Sequence, residues 1–135
     1  MSLPEGSEPI GDEELLYRRI PVSKGWYSDG SVSPEAFDPR DDESTGISIY
    51  RAKYITLQEV AKGKSKKGYF VAILRAGDVS PEMKLVPKPE PGDLGHAEIP
   101  DVTCHNRLTP EAELRKLRLA ELVMEVKGPF VPEPT

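Results

Sequence analysis

The chain has 135 residues, room for one domain and little more. Hydrophobic residues make up 37% and charged residues 30%, and the 14 prolines are about twice the usual share. No run approaches the ~18 apolar residues of a membrane span, no N-terminal stretch pairs basic residues with an apolar segment, and a single cysteine excludes an internal disulfide or a multi-cysteine zinc site.

Charge is unevenly distributed. Residues 1–45 hold four basic side chains (Arg18, Arg19, Lys24, Arg40) against eleven acidic ones, a balance of −7, whereas residues 46–135 hold fourteen against twelve, a balance of +2. An acidic first third disfavours nucleic acid as a partner, because affinity for it comes largely from phosphate neutralisation. The dense basic run of Lys62, Lys64, Lys66 and Lys67 reads as a solvated loop tip that discourages strand pairing with other molecules. A reducing, cytoplasmic setting without membrane attachment is expected.

Residues 1–12 offer little to bury and read as a disordered or loosely attached arm. A strand follows over residues 15–22, with Leu16, Arg18 and Ile20 on one face and Leu15, Tyr17 and Arg19 on the other. Neither face is purely apolar, so at least one arginine should lie near the core or line a cleft. Residues 24–45 have loop composition, but Trp26, Tyr27 and Phe37 predict an ordered loop, with a helical turn capped by Ser33 ahead of Pro34.

Residues 46–52 alternate in period two and predict a second strand. Thr56 and Glu59 form a capping box for a short helix that Gly63 should end. Residues 68–75 are the most hydrophobic stretch and predict a central strand buried on both faces, stopped by Gly77 and Asp78. A single turn at Ser80–Met83 follows. The alternating prolines of residues 87–92 require an extended path that cannot fill a ladder. A short strand resumes over residues 95–99.

Thr109, Pro110, Glu111 and Glu113 open the clearest helix, with a stripe of Leu114, Leu117, Ala120 and Met124 widened by Leu122, Val123 and Val126, and Gly128-Pro129 as its stop. The predicted architecture is α+β: a small mixed or antiparallel sheet with a C-terminal helix packed on it, residues 13–128 forming the domain and 129–135 a flexible tail.

Candidate chemistry is sparse. Gly63-Lys64-Ser65 is not a phosphate loop, because Gln58 stands where the motif needs its first glycine. Cys104 and His105 would point to opposite faces of a strand, although His96 could still approach Cys104. His96, Glu98 and His105 match no recognised metal-ligand spacing, and Asp38, Asp41, Asp42 and Glu43 match no calcium loop, so neither a metal nor a resident cofactor is expected. On a strand His96 and Glu98 share a face, which places an imidazole beside a carboxylate.

The heaviest constellation is Arg18 or Arg19 with Ser48, His96 and Glu98, all on predicted strands. An arginine can grip a diphosphate, a serine can order a site, and a glutamate can hold a ribose hydroxyl. Carried by Leu16-Tyr17-Arg18, Gly46-Ile47-Ser48 and Glu98, this order resembles the mono-ADP-ribosyltransferase superfamily, which includes short bacterial NAD-degrading toxins. The tyrosine-bearing helix that the resemblance implies after the serine strand is absent, and the chain is short for that fold. A second resemblance, carried by residues 15–21, 33–37, 47–49, 87–91 and 96–99, is to a set of short bacterial proteins with no established activity.

With no assembled catalytic motif in the sequence, the expectation is a non-enzymatic, antitoxin-like or immunity-like module whose partner is another protein, or a second copy bound through the C-terminal helix. The alternative is a small NAD- or nucleotide-using enzyme built on the Arg/Ser/His/Glu set. The two differ in whether those side chains converge on one concavity.

Overall fold

The computed structural model describes residues 5–63 and 66–132. Its sheet starts from the two strands with the most apolar sequence. β1 (Leu15–Pro21) pairs antiparallel along its whole length with Tyr69–Arg75, so Leu16, Ile20, Ala72 and Leu74 share one face and enter the main core. Between β1 and its other neighbour, Ile47–Arg51, only Leu16–Arg51 and Tyr17–Tyr50 pair before the two strands part.

In chain order the elements are β1, a small hairpin of β2 (Tyr27–Ser28) and β3 (Ser31–Val32), β4 (Ile47–Arg51), α1 (Leu57–Val60), β5 (Tyr69–Arg75), α2 (Ala76–Val79), β6 (Val86–Pro87), β7 (His96–Ile99), α3 (Pro110–Leu122) and β8 (Glu125–Phe130). The main sheet is six-stranded in the order β6-β7-β4-β1-β5-β8, with every neighbour antiparallel. α3 packs over the face carrying Leu16, Ile49 and Leu74, together with the 3-10 turn Pro34–Phe37, whose Phe37 is fully buried. The opposite face holds a smaller cluster of Val60, Ala61, Tyr69 and Val71 beneath α1. The molecule is therefore α+β, with the C-terminal helix on the sheet. Among the described residues no helix is long and apolar enough to cross a membrane.

Local signals decide most element starts. Ser33 accepts from the Glu35 amide, Thr56 from Glu59 and Thr109 from Ala112, each satisfying a free N–H of the first turn. α1 ends at Val60, before Gly63 is reached; β5 ends at Arg75, and Gly77 and Asp78, expected only as a stop, lie in the helical turn α2. Pro87, expected only as extended chain outside any ladder, pairs together with Val86 against β7 at the sheet edge, where a missing N–H is tolerated.

The C-terminal helix differs most from expectation. It ends at Leu122 and buries Ala112, Lys116 and Leu119, leaving Leu114, Leu117 and Met124 exposed at 67%, 45% and 57%. Of the expected apolar stripe, Leu114, Leu117 and Met124 lie outward, whereas Ala120, Leu122 and Val123 pack half-buried against the core. Lys116 can occupy the inner face because its ammonium reaches Asp38 at 2.9 Å, Glu113 at 2.7 Å and the Arg107 carbonyl at 3.2 Å. Residues 125–130, read partly as helix and partly as tail, instead form the edge strand β8 against β5. Of the tail, residues 133–135 lie outside the described set, as do Met1–Pro4 of the arm and Lys64 of the lysine run.

The segment expected as a loose arm is held from Gly6 onward. Arg51, fully buried, donates through Nη1 to the Gly6 and Glu8 carbonyls at 3.1 and 3.0 Å, and through Nη2 to that of Pro9 at 3.4 Å. It also forms a two-point ion pair with Glu14, at 2.8 Å from both Nε and Nη2. These contacts outweigh the effect of burial and hold the Glu14 carboxyl below its ordinary value.

Candidate functional site

The parting of β1 and β4 creates the site. Arg18 follows the last paired residue of β1 and points to the core side, where an uncompensated guanidinium would be costly. Its Nη1 donates to the Ser48 carbonyl at 2.9 Å and to Glu43 at 3.2 Å, its Nε to the Ala36 carbonyl at 3.1 Å, and its Nη2 to that of Asp38 at 3.2 Å. Arg18 thus bridges the gap left by the ladder and ties β1 to both the 34–43 loop and β4.

Glu43 completes this junction. Only 4% exposed, it accepts the Ser48 amide at 2.5 Å and the Arg40 amide at 2.8 Å as well as Arg18. Burial raises its pKa, but the Arg18 guanidinium and the two amides outweigh that and hold the carboxyl below the usual carboxylate range. The rest of the acidic run is dispersed: Asp38 pairs with Lys116, Asp41 with Arg107 at 3.2 Å and Asp42 with Arg40 at 3.5 Å. Each acid has its own cation, and among the described residues no group of three or more His, Cys, Asp or Glu side chains is placed to hold a metal ion.

On the face opposite Arg18, register aligns Ser48 with Glu98 and Tyr50 with His96 across β4 and β7. The diagonal pair meets: Ser48 Oγ lies 3.1 Å from His96 Nε2, and His96 Nδ1 lies 3.0 Å from the Lys88 carbonyl. The carbonyl can only accept, so Nδ1 carries a hydrogen, and in the tautomer this selects Nε2 is the atom free to accept from the serine hydroxyl. Glu90 lies 3.5 Å from Nδ1. Thr45 donates to Glu98 Oε1 at 2.8 Å. The proline-rich segment 87–92 thus supplies both the carbonyl and the carboxylate that orient the imidazole.

Two adjoining concavities open on this row. One, of about 210 Å³, is lined by Arg19, Lys24, Trp26, Arg40, Tyr50 and Tyr69 as well as Arg18 and Ser48; the other, of about 280 Å³, is lined by Glu90, Asp93, His96 and Glu98 together with Arg40, Ser48 and Tyr50. Arg40, Ser48 and Tyr50 belong to both, so the cleft has a cationic, aromatic half and an acidic half with Ser48 at the junction. Burial raises the pKa values of Tyr50 and Asp93; for Asp93 the nearby Glu90 adds to the rise and His96 opposes it.

Of the residues singled out in sequence, Arg18, Ser48, His96 and Glu98 converge here. Arg18 is committed to four acceptors. Arg19 lies on the face opposite Arg18, the one that carries Ser48, Tyr50 and His96, with its guanidinium 4.7 Å from the Tyr69 ring centre and bonded to the Lys62 carbonyl. Cys104 is half-buried in the turn after β7, its amide donating to the Glu43 carbonyl at 3.0 Å, and His105 is exposed. His96 meets Ser48 rather than Cys104. Glu43, weighed in sequence only as part of an acidic run that matches no calcium loop, and Arg40 were not expected at this junction; a glutamate five residues before a strand serine carries no periodic signal. A 3-10 turn bearing Tyr54 does follow the serine strand, but its hydroxyl donates to Glu8 and its ring lies 5.4 Å from Arg51.

Compared with known proteins, no family model matches the chain, and no curated protein or solved structure is significantly similar to it.

Proposed function

We propose that this cleft binds NAD or a related nucleotide and that the protein is a small ADP-ribosyltransferase-like enzyme. The observation that carries this reading is the adjacency of Arg18, Ser48 and Glu98 on β1, β4 and β7, three neighbouring strands, where the sheet opens. Ser48 and Glu98 are cross-strand neighbours on one face, and Arg18 reaches the Ser48 carbonyl from the other. The roles differ from those suggested by sequence alone. Arg18 is a positioning residue that holds β4 and Ser48, and gripping a diphosphate falls to Arg40 and Arg19 in the cationic half. Trp26 and Tyr50 offer ring faces for a base. Glu98, steadied by Thr45, is placed to accept from a ribose hydroxyl. A cytoplasmic setting fits the free thiol of Cys104.

Titration of the full chain with NAD, followed by thermal unfolding, tests the reading. Stabilisation that grows with NAD and is lost in Arg40→Ala and Glu98→Gln is expected. No shift at millimolar NAD refutes it.

A second reading is favoured by one observation, the outward Leu114 and Leu117 of α3 with Met124 just beyond it. In it the chain is an antitoxin-like or immunity-like module and this stripe docks on another protein. Sedimentation of the chain alone, then with products of neighbouring genes, tests it. Binding abolished by Leu114→Glu with Leu117→Glu supports it, and self-association abolished by the same pair redirects it to a homodimer.

A further inference from the structure

We propose that Ser48 is itself an acceptor in the cleft: its Oγ takes the ADP-ribosyl group of NAD, and His96 is the base that receives the serine proton. This rests on the NAD reading above and adds the identity of the accepting atom. The Lys88 carbonyl at 3.0 Å fixes the hydrogen on Nδ1 and leaves the Nε2 lone pair facing Ser48 Oγ at 3.1 Å. Glu90, 3.5 Å from Nδ1, supplies a carboxylate for the imidazolium that forms. Ser48 and His96 are each 8% exposed and sit on paired strands, so the hydrogen bond is held by the sheet rather than formed on encounter. Ser48 lines both halves of the cleft, at their junction.

The step balances without an oxidant or reductant. A bond forms between Ser48 Oγ and C1 of the nicotinamide-bearing ribose as the C1–N glycosidic bond breaks. The electron pair of that bond leaves with nicotinamide, which departs neutral because its ring nitrogen was cationic in NAD. The hydroxyl proton passes to His96 Nε2 and then to water.

The full chain is incubated with NAD, its intact mass and peptide map are recorded, and released nicotinamide is quantified. One ADP-ribose per chain on the Ser48 peptide is expected, with one equivalent of nicotinamide released in a burst. Ser48→Ala should carry no adduct, Ser48→Cys should carry it on the thiol, and His96→Gln should form it about 100-fold more slowly. Thermal unfolding of each variant separates a lost acceptor from a lost fold. Continuous nicotinamide release with an unmodified chain, or an adduct on another residue, overturns the proposal and leaves the NAD reading standing. Absence of both nicotinamide release and thermal stabilisation by NAD overturns both.

Discussion

Replacing Glu43 with alanine tests the junction that builds the cleft. Removing one member of a buried ion pair costs about 3–5 kcal/mol when the remaining charge is left bare. Arg18 would keep the carbonyls of Ala36, Asp38 and Ser48, so the lower end applies, about 3 kcal/mol. Loss of the acceptor for the buried Ser48 amide adds about 1 kcal/mol, while water can replace it at the Arg40 amide. The expected total of about 3–4 kcal/mol is a large part of the roughly 5–15 kcal/mol that a domain holds. For a chain of this size the midpoint should fall by roughly 10–15 °C. Urea unfolding followed by Trp26 fluorescence measures it, since Trp26 is the single tryptophan and lines the cleft. Glu43→Gln keeps an acceptor but loses the charge and should cost about 1–2 kcal/mol. If Glu43→Ala unfolds within about 1 kcal/mol of the parent chain, Glu43 does not hold the junction.

The depressed carboxyls of Glu43 and Glu14 favour the folded state in full above the ordinary carboxylate pKa and lose that contribution as pH falls through their lowered folded values, so Glu43→Gln should flatten the acid limb of a stability–pH profile. Leu119→Ala should cost about 2–5 kcal/mol in denaturant unfolding, whereas Leu114→Ala should stay within about 0.5 kcal/mol; equal costs would mean that α3 presents another face to the sheet. Gly46→Ala should destabilise by more than about 1 kcal/mol, because φ is +149° and a Cβ there would lie 2.7 Å from the Ile99 carbonyl oxygen; an unchanged midpoint would refute that close approach.

The strands and caps were legible because their signals are local. Alternation over residues 46–52, the apolar run at 68–75 and the Thr109-Pro110 start need nothing beyond nearest neighbours. The face of α3 was not legible, because inward Lys116 depends in part on Asp38, far away in sequence, and Leu114 is outward with no polar marker. β8 was hidden by Gly128-Pro129, which reads as a helix stop yet lies on an edge strand that tolerates proline. In the site, the prediction that an arginine of β1 would be held inward follows from the mixed face of the strand. The Ser48–His96 meeting depends on β4–β7 register, which no single segment encodes.

The Arg51 clasp has a consequence for variation among related chains. Its grip on the leading segment is through main-chain oxygens of Gly6, Glu8 and Pro9, which every amino acid possesses. At Pro9 side-chain identity can therefore drift while the polypeptide keeps its route. Glu8 and Gly6 are exceptions: the Glu8 carboxylate accepts from Tyr54 and lies 3.7 Å from Arg51 Nη1, and at Gly6 φ is +87° and an added methyl would collide with the Leu94 carbonyl oxygen at 2.5 Å. In a set of related sequences, the signature of this clasp would be an invariant glycine–arginine pair 45 positions apart.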